Sequence, residues 1–162
     1  MAKKEKDVKT NAMRILDRAG VKYEHFSYEC DEFVDGAQTA DHLGLPHEKV
    51  FKTLVTRGAS GGYYVFDIPV LCELDLKKAA KAAGVKSVEM IHVAEINPLT
   101  GYVRGGCSPV GMKKQFKTFF DISAENLETM LVSAGRIGWQ IEAKPSDIAS
   151  LCSARFADIV HE

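Results

Sequence analysis

Apolar residues recur along this chain with two different periods, and the alternation between those periods lays out its elements. Ala12, Ile15, Leu16 and Ala19 fall at i, i+3, i+4 and i+7, which predicts an amphipathic helix capped by Thr10 or Asn11 and ended by Gly20. Residues 21–28 read as extended, and a short helix is predicted over residues 35–43, stopped by Gly44. Two strand-like runs follow, residues 50–56 and 63–69, and the glycine-rich link between them favours a hairpin. The clearest helix starts after Asp75 and ends at Gly84, with Leu76, Ala79, Ala80 and Ala83 as its apolar stripe. A helical turn is predicted before Pro98. Strands are predicted near residues 102–104, 116–121, 129–133 and 138–143, and a last helix begins by Ser146 with Ile148, Ala149 and Cys152 at core spacing. Short strands and helices in this order predict an α+β arrangement, a curved mixed sheet with helices packed outside, and not the regular alternation of a doubly wound fold.

Within the first strand run one position breaks the apolar pattern. Side chains alternate along a strand, so Lys52 shares a face with Val50 and Leu54 while Phe51, Thr53 and Val55 take the other. A cation between aliphatic neighbours either snorkels to an edge or points into a hollow where its charge has a use. Farther on, Gly105-Gly106-Cys107-Ser108-Pro109 forms a loop able to offer bare backbone N–H groups to an oxygen. A cation and an amide-lined loop together suggest a site that handles an ester or a phosphate.

Composition narrows the function classes. The chain of 162 residues is most simply one domain spanning 1–162, and its 46% hydrophobic and 27% charged content suits a globular protein. The opening residues are lysine-rich without an apolar stretch, and no apolar run approaches the ~18 residues of a membrane span, so a cytoplasmic location is expected. Cys30, Cys72, Cys107 and Cys152 form no C-x-x-C pair, and Gly44 and Pro46 break the helix on which His42 and His47 could share a metal; no metal or cofactor is expected. A net charge of −1 excludes a basic coat but not a local basic face. Lys77, Lys78 and Lys81 gather on one side of their helix, as plain solvation or as phosphate contacts. Walker and dinucleotide-binding motifs are absent, and in Gly106-Cys107-Ser108-Pro109-Val110-Gly111 the second glycine comes one residue too late for a nucleophile elbow. Cys107 itself can be read as a nucleophile beside a glycine turn or as a packing residue. Near the C-terminal end, residues 129–141 read as a hairpin that brings Ser133 and Gln140 to its mouth, as a ligand-binding feature or as a plain surface turn.

Several segments in order carry a family resemblance: Val50-Phe51-Lys52-Thr53-Leu54, Leu74-Asp75-Leu76-Lys77-Lys78, Val88-Glu89-Met90, Thr100-Gly101-Tyr102, the run from Gly105 to Lys114, and Ala154-Arg155-Phe156-Ala157-Asp158-Ile159. From about residue 11 onward the chain resembles the YbaK/EbsC group, bacterial Cys-tRNA(Pro) deacylases related to the editing domain inserted in some prolyl-tRNA synthetases. The resemblance implies a barrel-like core surrounded by short helices. It places the functional lysine on Lys52 and the glycine-to-proline loop on Gly105, Gly106, Ser108 and Pro109. A pocket serine falls on Ser133, a rim tyrosine on Tyr28, and Thr53 and Phe33 join the substrate-binding set. Where the better-known deacylases carry an aspartate, this chain has Gln140.

The implied activity is cleavage of the aminoacyl ester at the 3′ end of a transfer RNA, with the substrate's own thiol attacking the ester. Lys52 would stabilise the oxyanion or anchor a terminal phosphate or ribose, and Lys77, Lys78, Lys81, Lys113, Lys114 and Lys117 would meet tRNA phosphates. Prolyl-tRNA synthetase is the implied protein partner. Three alternatives stay open: a deacylase for another small amino acid such as alanine, a non-catalytic tRNA- or synthetase-binding module, and a thiol enzyme built on Cys107.

Overall fold

In a computed structural model, which describes residues 9–28 and 36–161, the two hydrophobic periods resolve into five helices and eight strands. Helix α1 (Asn11–Ala19) is capped by Thr10, whose Oγ1 accepts from the Met13 N–H at 3.2 Å, and buries Ala12, Met13 and Leu16. Strand β1 (Glu24–Ser27) and helix α2 (Gly36–Leu43) follow; the expectations for Cys30, Phe33 and Asp35 lie outside the described residues. Strands β2 (Phe51–Gly58) and β3 (Tyr63–Pro69) form the predicted hairpin, in register with Lys52 opposite Ile68 and Thr53 opposite Asp67. Helix α3 (Leu76–Ala83) starts at Asp75, whose carboxylate accepts from the Lys77 and Lys78 N–H groups at 3.0 and 3.1 Å. Its alanine face lets the helix lie close on Phe66, Ile68 and Phe119.

The remaining elements are β4 (Val88–Met90), α4 (Val93–Thr100), β5 (Lys117–Asp121), β6 (Met130–Ser133), β7 (Trp139–Ala143), α5 (Pro145–Cys152) and β8 (Arg155–Ala157). Five strands make a mixed sheet in the order β4-β2-β3-β5-β8, with β3, β5 and β8 parallel, and three make the antiparallel sheet β1-β7-β6. A parallel bridge from Val50 to Leu131 ties one sheet to the other, so the predicted curved core is built from two linked sheets. Helices α1 and α5 fill the core between them, where Leu16 and Ile148 meet Phe51, Phe120, Val132 and Ile141.

Three local expectations change. Residues 102–104 are not a strand: the Gly106 N–H donates back to Val103 O at 2.9 Å, and Tyr102 Oη donates to Val110 O at 2.5 Å, which curls the segment into an irregular loop. The turn before Pro98 is instead a full helix with Pro98 inside it. Ala94 and Pro98 are both exposed, so the proline lies on the solvent side of the helix. Strands β4 and β8, three residues each, exist only because sheet neighbours hold them.

Candidate active site

Strand alternation places Phe51 and Val55 in the core on one face of β2, which turns Lys52 to the other. Residues from both faces of this stretch, Phe51 to Val55 with Lys52 among them, border a cavity of about 350 Å³. Thr53, Gly105, Ser133 and Gln140 line the same cavity. The hairpin β6–β7 sets Ser133 directly opposite Gln140, which brings the last two side chains to one wall together. Lys52 is half-buried and has no hydrogen-bond or ion-pair partner among the described residues. Gln140 is 5% exposed, and its Oε1 is buried without a hydrogen-bond partner, an unsatisfied acceptor in the cavity wall.

The glycine loop divides into two parts. Gly105 is exposed at φ 84°, a left-handed conformation that a side chain would strain, and its N–H has no acceptor among the described residues. Gly106 is buried behind it and does not line the cavity. Its amide is spent on Val103 O, and a Cβ there would stand 3.0 Å from the backbone of Arg136 and Ile137. Thus Gly105 presents the open amide, while Gly106 lets the loop close on the β6–β7 turn. Ser108 and Pro109 are likewise buried; Ser108 Oγ accepts the Val110 N–H at 3.2 Å and stiffens the loop from behind. Tyr28 is also off the cavity: it stacks on His42 with centroids 4.7 Å apart, and its N–H donates to Gly138 O at 3.2 Å.

Two features of the site were not anticipated. A further wall is made by α4, the end of β4 and the link between them, contributing Met90, Ile91, Val93 and Ile96. Arg57 on β2 fastens that wall through ion pairs with Glu95 and Glu89. Arg104 adds a second cation beside Gly105; its adjacency to the glycine loop was the available signal. Cys107 borders the cavity too, but burial, helped by the neighbouring Asp67, pushes its thiol up to about 12. A thiol in that state carries almost no thiolate at neutral pH. Cys107→Ala is therefore expected to keep ester cleavage within about threefold of the wild type; a loss of two orders of magnitude would restore the thiol as nucleophile.

The lysines expected to meet tRNA phosphates do not line the cavity. Lys77, Lys81, Lys113 and Lys114 are exposed, whereas Lys78 Nζ is held by Asp158 at 3.1 Å and by Val160 O at 3.0 Å. Among the described residues no group of three His, Cys, Asp or Glu side chains is placed to hold a metal ion, and no helix is long and apolar enough to cross a membrane.

A family model for the aminoacyl-tRNA editing domain matches residues 32–151. Over 160 residues, 98% of each chain, the sequence is 46% identical to a protein of Enterococcus faecalis (strain ATCC 700802 / V583) provisionally named Cys-tRNA(Pro)/Cys-tRNA(Cys) deacylase EbsC. An uncharacterised Bacillus subtilis (strain 168) protein, YwhH, is 24% identical over 112 residues, covering 69% of this chain and 71% of its own. The crystal structure of a protein described provisionally as a trans-editing enzyme for prolyl-tRNA synthetase superposes with a TM-score of 0.80. That match covers 96% of this chain and 100% of the other at 23% identity, which establishes a shared fold.

Proposed function

The chain belongs to the aminoacyl-tRNA editing domain family, and on that premise we propose that it is a trans-editing deacylase that removes cysteine mischarged on tRNA(Pro). The observation that carries this reading is the convergence of Lys52, Gly105, Ser133 and Gln140 on one cavity. An aminoacyl ester is already activated, so the protein's task is to hold it and to stabilise the oxyanion. Lys52 supplies the charge and the Gly105 N–H the hydrogen bond, both in a hollow largely walled by apolar side chains, where such contacts strengthen.

The attacking group comes from the substrate. The cysteine sulfur bonds to its own carbonyl carbon, the bond from that carbon to the ribose oxygen breaks, and the thiol proton ends on the ribose oxygen. A cyclic thiolactone leaves. This route fits a site whose lining thiol, Cys107, is held protonated. The biological need is physical: a pocket that measures only size separates near-isosteric amino acids by roughly 10–200-fold per methylene, and cysteine is close to proline in volume.

Exposed Lys77, Lys81, Lys113 and Lys114 would meet the phosphates of the acceptor arm, with Lys78 committed to Asp158. A basic face on a chain of net charge −1 gives modest tRNA affinity, which favours delivery by prolyl-tRNA synthetase in the cytoplasm. Gln140, a neutral side chain in the place of a carboxylate, favours one competing substrate, an alanyl ester. Hydrolysis of Cys-, Ala- and Pro-tRNA(Pro) side by side decides between them. Preferential loss of cysteine is expected; preference for alanine would overturn the cysteine assignment, and cleavage of none would leave a binding module.

A further inference from the structure

A second hollow, of about 320 Å³, opens where β5 and β8 meet the C-terminal end of α3, toward the opposite edge of the five-stranded sheet from the Lys52 cavity. Strand alternation accounts for its chemistry. Phe119 packs under α3, and Lys117, two residues earlier on β5, shares that face. Arg155 is the register partner of Phe119 across the parallel β5–β8 pair, so it stands on the same face. Helix α3 stops at Ala83, and both cations are left exposed at its end. Two residues along a strand and one interstrand spacing put their Cα atoms about 8 Å apart. Side chains of that length can meet on one small anion.

Neither cation has a hydrogen-bond or ion-pair partner among the described residues, and no Asp or Glu lines the hollow. The last residues of α3, Ala82 and Ala83, line it instead. A helix C-terminus carries roughly half a negative charge, which accommodates two cations without neutralising them. The hollow therefore stays positive on a chain whose net charge is −1. Ser153 adds a donor. It ends α5 at φ 53°, the one non-glycine residue with a positive φ among the described residues, in a position that favours glycine. Ser153 also lines the hollow, and a hydroxyl there can donate to an anion where glycine could not.

The hollow is also in line with the Lys52 cavity. Met90 at the cavity, Thr56, Tyr64 and Lys117 are successive register partners across β4, β2, β3 and β5. Three interstrand spacings make about 14 Å, a distance that a few nucleotides of single strand cover. We propose that the hollow is a phosphate subsite, in which Lys117 and Arg155 together hold one backbone phosphate of the tRNA acceptor strand while its 3′ end occupies the Lys52 cavity. The placement of the 3′ end rests on the deacylase reading; the grip of the hollow on a tRNA phosphate does not.

Titration of uncharged tRNA(Pro) into the full chain, repeated over a range of salt, tests it. Lys117→Gln with Arg155→Gln is expected to weaken binding about tenfold at about 50 mM salt, and to make the slope of log K against log salt shallower by about 1. Unchanged affinity and slope overturn the proposal. Arg18→Gln with Lys22→Gln removes two exposed charges at α1, which packs on the other face of the sheet with Phe120, and is expected to cost less than about threefold. An equal loss from both pairs would mean a diffuse field and no subsite. Lys117→Arg with Arg155→Lys keeps both charges and is expected to bind within about threefold of the wild type; a loss as large as that of the glutamine pair would overturn the phosphate contact. Inorganic phosphate separates the two sources of the anion. A phosphorus resonance broadened by the wild type and not by the glutamine pair, with tRNA binding equal in both, would assign the hollow to a free anion and overturn the proposal. Absence of ester cleavage in the wild type would refute the deacylase reading instead, and the titration with uncharged tRNA would still decide for the hollow.

Discussion

Lys52→Ala is expected to lower kcat for Cys-tRNA(Pro) by about 10²-fold or more while KM moves little. In energy that is about 2.7 kcal/mol of transition-state stabilisation. The expectation follows from where β2 puts the ammonium: on a strand held on both sides by neighbours, in a cavity shared with the Gly105 amide, and without an ion-pair partner among the described residues. A charge left uncompensated by the protein is available to the oxyanion. Single-turnover deacylation against tRNA concentration separates the roles. A rise in KM alone would move Lys52 to a phosphate or ribose anchor, and near-normal turnover would remove it from the chemistry.

The second large effect is on stability. Burial in the middle of β3 pushes the Asp67 carboxyl up to about 8 in the folded protein against 3.8 in its ordinary state. Between those values the folded chain holds a proton that the unfolded chain has released. Stability therefore falls as pH rises through this window, by up to about 1.4 kcal/mol per pH unit, and the loss is complete above the folded value. At neutral pH it amounts to roughly 4 kcal/mol, a large share of the 5–15 kcal/mol typical of a domain. Asp67→Asn cannot ionise. Urea denaturation of both proteins is expected to show the variant gaining on the wild type by roughly that amount between about pH 4 and about pH 7. A difference between the two that is independent of pH would contradict the burial of a titrating acid.

Legibility in the sequence followed the strength of the local signal. Lys52 stood out because a lone charge interrupts an apolar, alternating run, and the strand and its register follow from that alternation. Asp67 interrupts the run Tyr63–Pro69 in the same way, yet that it faces Thr53 depends on cross-strand register, which is set by the turn and not by either strand alone. The hairpin that pairs Ser133 with Gln140 was readable from two short strands around a glycine turn. Which glycine of the loop offers its amide was not: Gly105 and Gly106 are chemically identical, and only the return bond to Val103 and the contact with Arg136 separate them. Tertiary forces also decided the local misses. Pro98 reads as a breaker until α4 is seen with its proline side in solvent, and β4 and β8 are too short to declare themselves without the sheet.

The central claim is that ester cleavage takes place where Lys52 and the Gly105 amide meet. It is tested most directly by a crystal structure with an amide-linked 3′-cysteinyl-adenosine, a substrate analogue that cannot be cleaved. The analogue's carbonyl oxygen is expected within hydrogen-bond distance, about 3 Å, of Lys52 Nζ and the Gly105 N–H. An analogue bound elsewhere, as in the separate hollow between Lys117 and Arg155, with the Lys52 cavity left open, would contradict the account.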